Sequence, residues 1–285
     1  MRVTPMFAAP MPKTNLDLKS GAWYAEEKID GHRLILQVIN GVGLAWSRNG
    51  LTRVLPPHLH EAIKSLPDGI YDGELHTPGG RSYGVKEIIN GPTLVYTVFD
   101  LLHFEGVSLL EHRYDIRRIN ILNILPKEGS IHYGWSVPVE NEPQLSSLLS
   151  EVWERDGEGL ILKHTGSIYV PGKRPKNTWI KLKKLQSAVL TVISFSPSRG
   201  LIVDRGPYAM IELRDDDGNV TQVKTRNDAE CRRLEALAPM PIEGFLLGGG
   251  GQQHPDIGRK LRIEYQERTP DGNYRHPRMD RWEDE

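Results

Sequence analysis

One cysteine, Cys231, in 285 residues leaves no partner for an intramolecular disulfide and no basis for a multi-cysteine zinc site. Long apolar runs are also missing, so nothing here reads as a transmembrane helix. Met1 to Leu18 carries prolines and scattered charges but lacks the apolar core of a secretory signal, and a cytoplasmic location is expected. There is no internal repeat and no low-complexity tract. Excess charge is absent as well: the net charge is -1, with 22 basic against 20 acidic residues up to Gln186 and 14 against 17 beyond it. Any contact with a polyanion must therefore come from local basic strips rather than a globally cationic surface. The best of these is Lys173-Arg174-Pro175-Lys176 with Lys181, Lys183 and Lys184, a pattern that also suits a solvated basic face. The 38% apolar content and ordinary charged fraction describe a globular chain long enough for two cored domains.

What is present is a set of short motifs on β-type segments. The first is Glu26-Glu27-Lys28-Ile29-Asp30-Gly31-His32-Arg33, a lysine between apolar residues and a tight turn. A free lysine has a pKa of about 10.4, so roughly one in a few thousand is an amine at neutral pH. Partial burial beside other cations lowers that value and makes a nucleophile. Alone, the pattern fits an exposed lysine before an Asp-Gly turn equally well. It is followed in order by Ser47-Arg48-Asn49-Gly50, Tyr71-Asp72-Gly73-Glu74-Leu75, Val98-Phe99-Asp100, Asp156-Gly157-Glu158 running into Gly159–Lys163, and Trp179-Ile180-Lys181-Leu182-Lys183.

β-rich segments are predicted at Trp23–Glu26, Leu34–Val38, Gly43–Ser47, Gly69–Leu75, Leu94–Leu101 and Gly159–Lys163. Three- and four-residue apolar spacing predicts helices over Pro57–Leu66, Ser108–Ile124 and Glu142–Arg155. Past Leu185 the prediction is three strands (Ala188–Ile193, Ala209–Leu213, Val220–Lys224), a helix over Asn227–Leu237 capped by Asn227 or Asp228, and two strands (Leu261–Arg268, Tyr274–Met279).

In order and spacing, the six motifs resemble those of the covalent nucleotidyltransferases, and most closely the compact ATP-dependent DNA ligases of bacteriophage and bacterial type. NAD-dependent ligases share the lysine motif, but they are larger and carry a four-cysteine zinc module that this chain lacks. The resemblance implies an α+β fold: an adenylation (nucleotidyltransferase) domain over residues 1–186, then an OB-fold β-barrel over 187–285. It implies nick sealing in duplex DNA with ATP and magnesium or manganese. The 5′-phosphate is activated through a lysyl-AMP intermediate and then attacked by the 3′-hydroxyl. Lys28 would be the nucleophile. Lys181 and Lys183, two apart on a strand and so on one face, would contact phosphates. Glu158 and Glu74 would hold the metal, with Glu74 also on the ribose. Phe99 would stack on adenine, Glu26 would lie near the base, and Arg33 and Arg48 would contact AMP or the nick. The expected partner is nicked double-stranded DNA, without a membrane, and the chain is expected to be a monomer, in the host cytoplasm if viral.

The pattern is departed from at three places. No separate DNA-binding domain is expected ahead of Lys28, and two domains are expected to close on the duplex about a hinge near Lys184–Ser187. Arg275-His276-Pro277-Arg278-Met279-Asp280-Arg281-Trp282 resembles the approach to the closing basic motif, but Glu283 stands where an arginine is usual and no final lysine follows. Val223-Lys224-Thr225-Arg226-Asn227 occupies the place of a glycine-rich turn. The resemblance leaves two alternatives open: an RNA ligase or capping-type transferase, and a nucleic-acid-binding module without transfer activity.

Overall fold

A computed structural model describes residues 2–12, 16–18, 20–78, 93–197, 208–239, 254–269 and 271–283. The chain divides into two compact units, Met1–Lys183 and Lys184–Glu285.

The first unit holds two sheets. In chain order its strands are β1 (Ala9–Pro10), β2 (Trp23–Glu27), β3 (His32–Ile39), β4 (Val42–Ser47), β5 (Thr52–Arg53), β6 (Gly69–His76), β7 (Val95–Phe104), β8 (Val107–Ser108), β9 (Ile131–Tyr133), β10 (Ser136–Val139), β11 (Gly159–His164) and β12 (Trp179–Lys183). The helices are α1 (Pro57–Ile63), α2 (Tyr114–Ile124) and α3 (Glu142–Glu154). One sheet runs β1-β12-β11-β2-β10; the other runs β5-β4-β3-β6-β7-β8, with β9 beside β7. Alternation assigns the faces. Leu34, Leu36 and Val38 of β3 enter a core with Leu59 and Ile63 of α1 and Ile121 of α2, while Ile35 points to the opposite side. Likewise Leu160, Leu162 and Ile180 pack beneath Leu145 and Val152 of α3. A third cluster, with Ile35, Leu102, Tyr169 and Trp179, joins residues from both sheets.

Helix α2 begins six residues later than the apolar spacing predicts. Val107–Ser108 pairs with β7 instead, at His103 and Phe104. The helix is pinned by Arg117, which is fully buried and clasps Asp100 of β7 at 2.7 and 2.9 Å. Asn141 caps α3 through the backbone N–H of Gln144 at 2.9 Å. The short strands β1, β9 and β10 went unpredicted, because two to four residues carry too little periodicity to register.

The second unit is an antiparallel sheet ordered β15-β14-β13-β16-β17. Its strands are β13 (Gln186–Ser196), β14 (Met210–Arg214), β15 (Val220–Lys224), β16 (Lys260–Tyr265) and β17 (Arg278–Trp282), and α4 (Asp228–Leu237) lies between β15 and β16. The predicted element order holds, and Asn227 is the cap, accepting from Glu230 N–H at 2.9 Å. The final strand lies four residues beyond its predicted start. Glu283, at the departure from the basic motif, accepts two bonds from Arg262 at 2.6 and 3.0 Å. Arg278 and Arg281 are exposed, and Asp284 and Glu285 lie outside the described residues. Together the two units make a mixed α+β protein dominated by sheet. Among the described residues no helix is long and apolar enough to cross a membrane.

Candidate active site

Strand register builds the site. On the first sheet, β2, β11 and β12 line up their inward residues in rows. Glu26, Ile161 and Lys181 form one row, and Tyr24, Lys163 and Trp179 form the next. Lys28 extends the ladder past the end of β2, its N–H donating to Gly159 O at 2.9 Å, opposite Lys183. This row tolerates only glycine in its middle. A Cβ on Gly159 would stand 2.0 Å from Leu182 O, and φ there is +143°. Gly31 is equally constrained, since a Cβ would stand 2.5 Å from Leu75 O where the turn after Lys28 presses on β6. The second sheet contributes a facing row, Arg33, Glu74 and Thr97.

Phe99 reaches the site by a bulge. Asp72 pairs with Asp100 and Gly73 pairs with Val98, so Phe99 is the extra residue of β7. A bulge re-aims side chains. Tyr96 and Val98 point into the core below, and Phe99 turns toward the cleft, edge-on to Trp179 at 6.3 Å.

These rows line a cleft of about 230 Å³ that brings together Glu26, Lys28, Arg33, Arg48, Glu74, Phe99, Lys181 and Lys183. A neighbouring cavity of about 420 Å³ shares Lys28 and Phe99 and adds Glu158, His76 and Trp135. All nine residues singled out by the sequence therefore converge on one region of the first unit. Sequence reasoning gave no role to Lys163, Trp179 or Phe7, which also line the cleft, as does Arg174 of the basic strip. Trp179 was findable, since it continues the i, i+2 alternation of Lys181 and Lys183 backwards. Phe7 carried no signal. The guanidinium groups of Arg48 and Arg174 both lie over its ring, at 5.3 and 5.9 Å.

Charges in the cleft are tightly paired. The ammonium of Lys28 donates to Glu158 Oε2 at 2.5 Å, and Lys183 pairs with Oε1 of the same carboxylate. Arg33 forks onto buried Asp72 at 2.9 and 2.6 Å, and Tyr169 donates to that carboxylate at 2.6 Å. Burial would pull the Arg33 value down, but the Asp72 charge outweighs it and drives it up. Half of the arginine's planar fork is thus engaged with protein, which orients the rest.

Glu74 is the perturbed acid. Burial, with a smaller push from Asp72 and Glu158, outweighs Lys28 and Arg33 and raises its carboxyl to about 8. The folded protein then keeps a proton that the unfolded chain releases near its ordinary 4.5, so this group makes stability fall as pH rises between those values. Replacing Glu74 with Gln is expected to remove that dependence. Thermal unfolding from pH 5 to pH 9 should show the variant gaining on the parent as pH rises; a constant difference would refute the assignment. Burial also pushes Glu26 up, against the opposing charge of Lys163.

Among the described residues no group of three or more His, Cys, Asp or Glu is assembled to hold a metal ion. Glu74 and Glu158 are near enough for the charge of one to raise the pKa of the other. Two carboxylates suit a cation that takes its remaining ligands from water and phosphate.

Residues 73–183 match the family model described as the ATP dependent DNA ligase domain. The chain is 26% identical over 286 aligned residues to the DNA ligase of Methanothrix thermoacetophila, covering 89% of this chain and 50% of that one. It thus spans half the length of that relative, and smaller shares of others it matches. Among solved structures, a Lig E DNA ligase superposes with a TM-score of 0.75 at 17% identity, over 99% of this chain and 100% of that one. The ATP complex of the bacteriophage T7 DNA ligase does so with a TM-score of 0.53 at 19% identity, over 98% of each. The Lys28 turn, the carboxylates of Glu74 and Glu158, Phe99 and the alternating lysines thus lie on a fold like that of these ligases, and residues 73–183 are similar to the ATP dependent DNA ligase domain.

Proposed function

We propose that this protein seals nicks in duplex DNA with ATP, and that the lysine–carboxylate–lysine bridge Lys28–Glu158–Lys183 carries the first step. In that step the Nζ of Lys28, freed of a proton whose nearest acceptor is Glu158, forms a bond to the α-phosphorus of ATP. The bond from that phosphorus to the bridging oxygen breaks, and pyrophosphate leaves with the electron pair. Little covalent work remains for the protein, so positioning and neutralisation dominate. Phe99 supplies the platform for the base, and Glu74, with a proton available near neutral pH, can both donate to and accept from a ribose hydroxyl. Lys181, Lys183, Arg33 and Arg48 face the same cleft and suit phosphate oxygens. Glu158 would hold a magnesium ion that draws charge from the phosphates, with Glu74 joining where the cation displaces its proton. AMP then passes to the 5′-phosphate at a nick, and the 3′-hydroxyl displaces it.

The second unit's order of three strands, a helix and two strands supports an OB-fold. With the unit boundary at Lys183–Lys184, the segment Lys184–Ser187 serves as a hinge, and the protein acts as a monomer. Either Arg278 and Arg281 take over from the altered closing motif in orienting pyrophosphate, or self-adenylation from ATP is slow or differently organised.

The test is joining of a duplex carrying one nick with a labelled 5′-phosphate, with ATP and magnesium, beside a duplex whose nicked strand is RNA. Joined DNA is expected. Joining confined to the RNA strand would move the reading to an RNA ligase, and no adenylated species on either would end it.

A further inference from the structure

Lys163 is 1% exposed, and its ammonium bridges the two sheets of the first unit. It pairs with Glu26 of β2 at 2.7 Å and donates to the carbonyl of Phe99 on β7 at 2.7 Å. That carbonyl belongs to the bulged residue, which the register of β6 and β7 leaves without an opposite number. Around the ammonium stand Trp179 at 4.3 Å, Tyr114 at 4.8 Å and Phe99 at 4.9 Å, measured to the ring centres. Tyr114, from the first turn of α2, is 1% exposed and donates its hydroxyl to Glu26. A charged pair this deep persists only when its remaining hydrogen-bonding capacity is met, and here one phenol and one carbonyl meet it.

We infer that Tyr114 is a positioning residue. Through Glu26 and Lys163 it fixes the bulged backbone of Phe99, and so sets how firmly the cleft grips a purine base. The inference rests on the reading of Phe99 as the base platform. Tyr114 lies outside every motif of the sequence and does not line the cleft; its hydroxyl acts through Glu26, while its ring stays beside Lys163 in the phenylalanine variant. Without its hydroxyl, Glu26 keeps a single strong partner. The hold on the Phe99 carbonyl then slackens, although nothing that would touch the nucleotide has been removed.

The experiment uses the full chain and Tyr114→Phe, Glu26→Gln and the double variant. It measures the rate of labelled lysyl-AMP formation against ATP concentration, and equilibrium binding of a non-hydrolysable ATP analogue. Tyr114→Phe is expected to raise the KM for ATP and the Kd of the analogue by about tenfold, the scale of one lost bond to a charged group, with the limiting rate within about twofold. In the Glu26→Gln background the same change should add less than about twofold, since the link through Glu26 is then already weakened. A purely structural tyrosine would lower the active fraction and thermal stability while leaving KM and Kd alone, and that result would overturn the inference. The two readings fail separately. A parent that forms no adduct, but binds the analogue with a Kd that Tyr114→Phe weakens, keeps the tether and loses nucleotidyl transfer. A parent that forms the adduct with Tyr114→Phe matching its KM and Kd keeps transfer and loses the tether. A parent that does neither loses both.

Discussion

Lys28→Ala is expected to form no covalent AMP adduct and to lower ATP-dependent sealing by roughly 10⁶-fold, the scale of removing a covalent nucleophile. The change should spare the fold. Lys28 is about a quarter exposed, and Glu158, which it leaves, still has Lys183 on its other oxygen. The variant therefore separates chemistry from stability, and its melting temperature should lie close to that of the parent. A nick whose 5′-phosphate already carries AMP should still be joined, because attack by the 3′-hydroxyl forms no bond to the lysine. The measurement is gel separation of labelled protein and labelled DNA. Adduct formation on the alanine variant would show that some other residue is the nucleophile.

The largest loss of stability is expected at Arg117→Met. Both side chains of the Arg117–Asp100 pair are fully buried, and the guanidinium also donates to the carbonyls of His112 and Ser167 at 2.5 and 3.0 Å. One side chain therefore ties α2, β7 and the segment after β11. Methionine fills much of the space but, among the described residues, leaves Asp100 with only the Leu101 N–H at 2.9 Å. Stranding one member of a buried pair costs about 3–5 kcal/mol. Against a total of about 5–15 kcal/mol this is severe, and in a unit of this size it lowers the melting temperature by roughly 6–20 °C. Replacing Asp100 with Asn in the same chain should restore part of the loss by removing the stranded charge. Calorimetry on the parent and the two variants decides it, and a drop below about 2 °C for the single change would mean that water reaches Asp100.

Much of this architecture was readable in advance, for reasons that particular residues make clear. The expected strands Leu34–Val38 and Gly69–Leu75 fall within β3 and β6, since Leu34, Ile35, Leu36 and Val38 make the first apolar and Ile70, Tyr71 and Leu75 anchor the second. Lys28, Glu74 and Glu158 stood out because they belong to short runs whose glycines are demanded by backbone packing, as at Gly31, Gly73 and Gly159. What escaped notice depends on long-range pairing. Asp100 was visible beside Phe99, but its partner Arg117 lies 17 residues on, in a helix whose pattern gave no hint of a charge pointing inward. Lys163 stood in plain view at the end of a motif. An apolar strand ending in lysine ordinarily places that lysine in solvent; only the facing sheet, with its bulge at Phe99, makes it a buried cation. The late start of α2 has the same origin, because Val107 and Ser108 found β7 before they could join a helix.

Strand β1 lies parallel to β12, with Ala9 opposite Ile180 and Pro10 opposite Lys181. Seen as an order of events on the ribosome, this pairing imposes a wait. At a synthesis rate of about 5–20 residues per second, the first strand exists for roughly ten to thirty seconds before its partner has been made. Phe7, two residues ahead of that strand, can take its place beneath Arg48 and Arg174 only afterwards. The nascent chain therefore presents Lys28 on a polypeptide that cannot yet enclose a nucleotide, and the cleft comes into being as one of the last acts in building its unit.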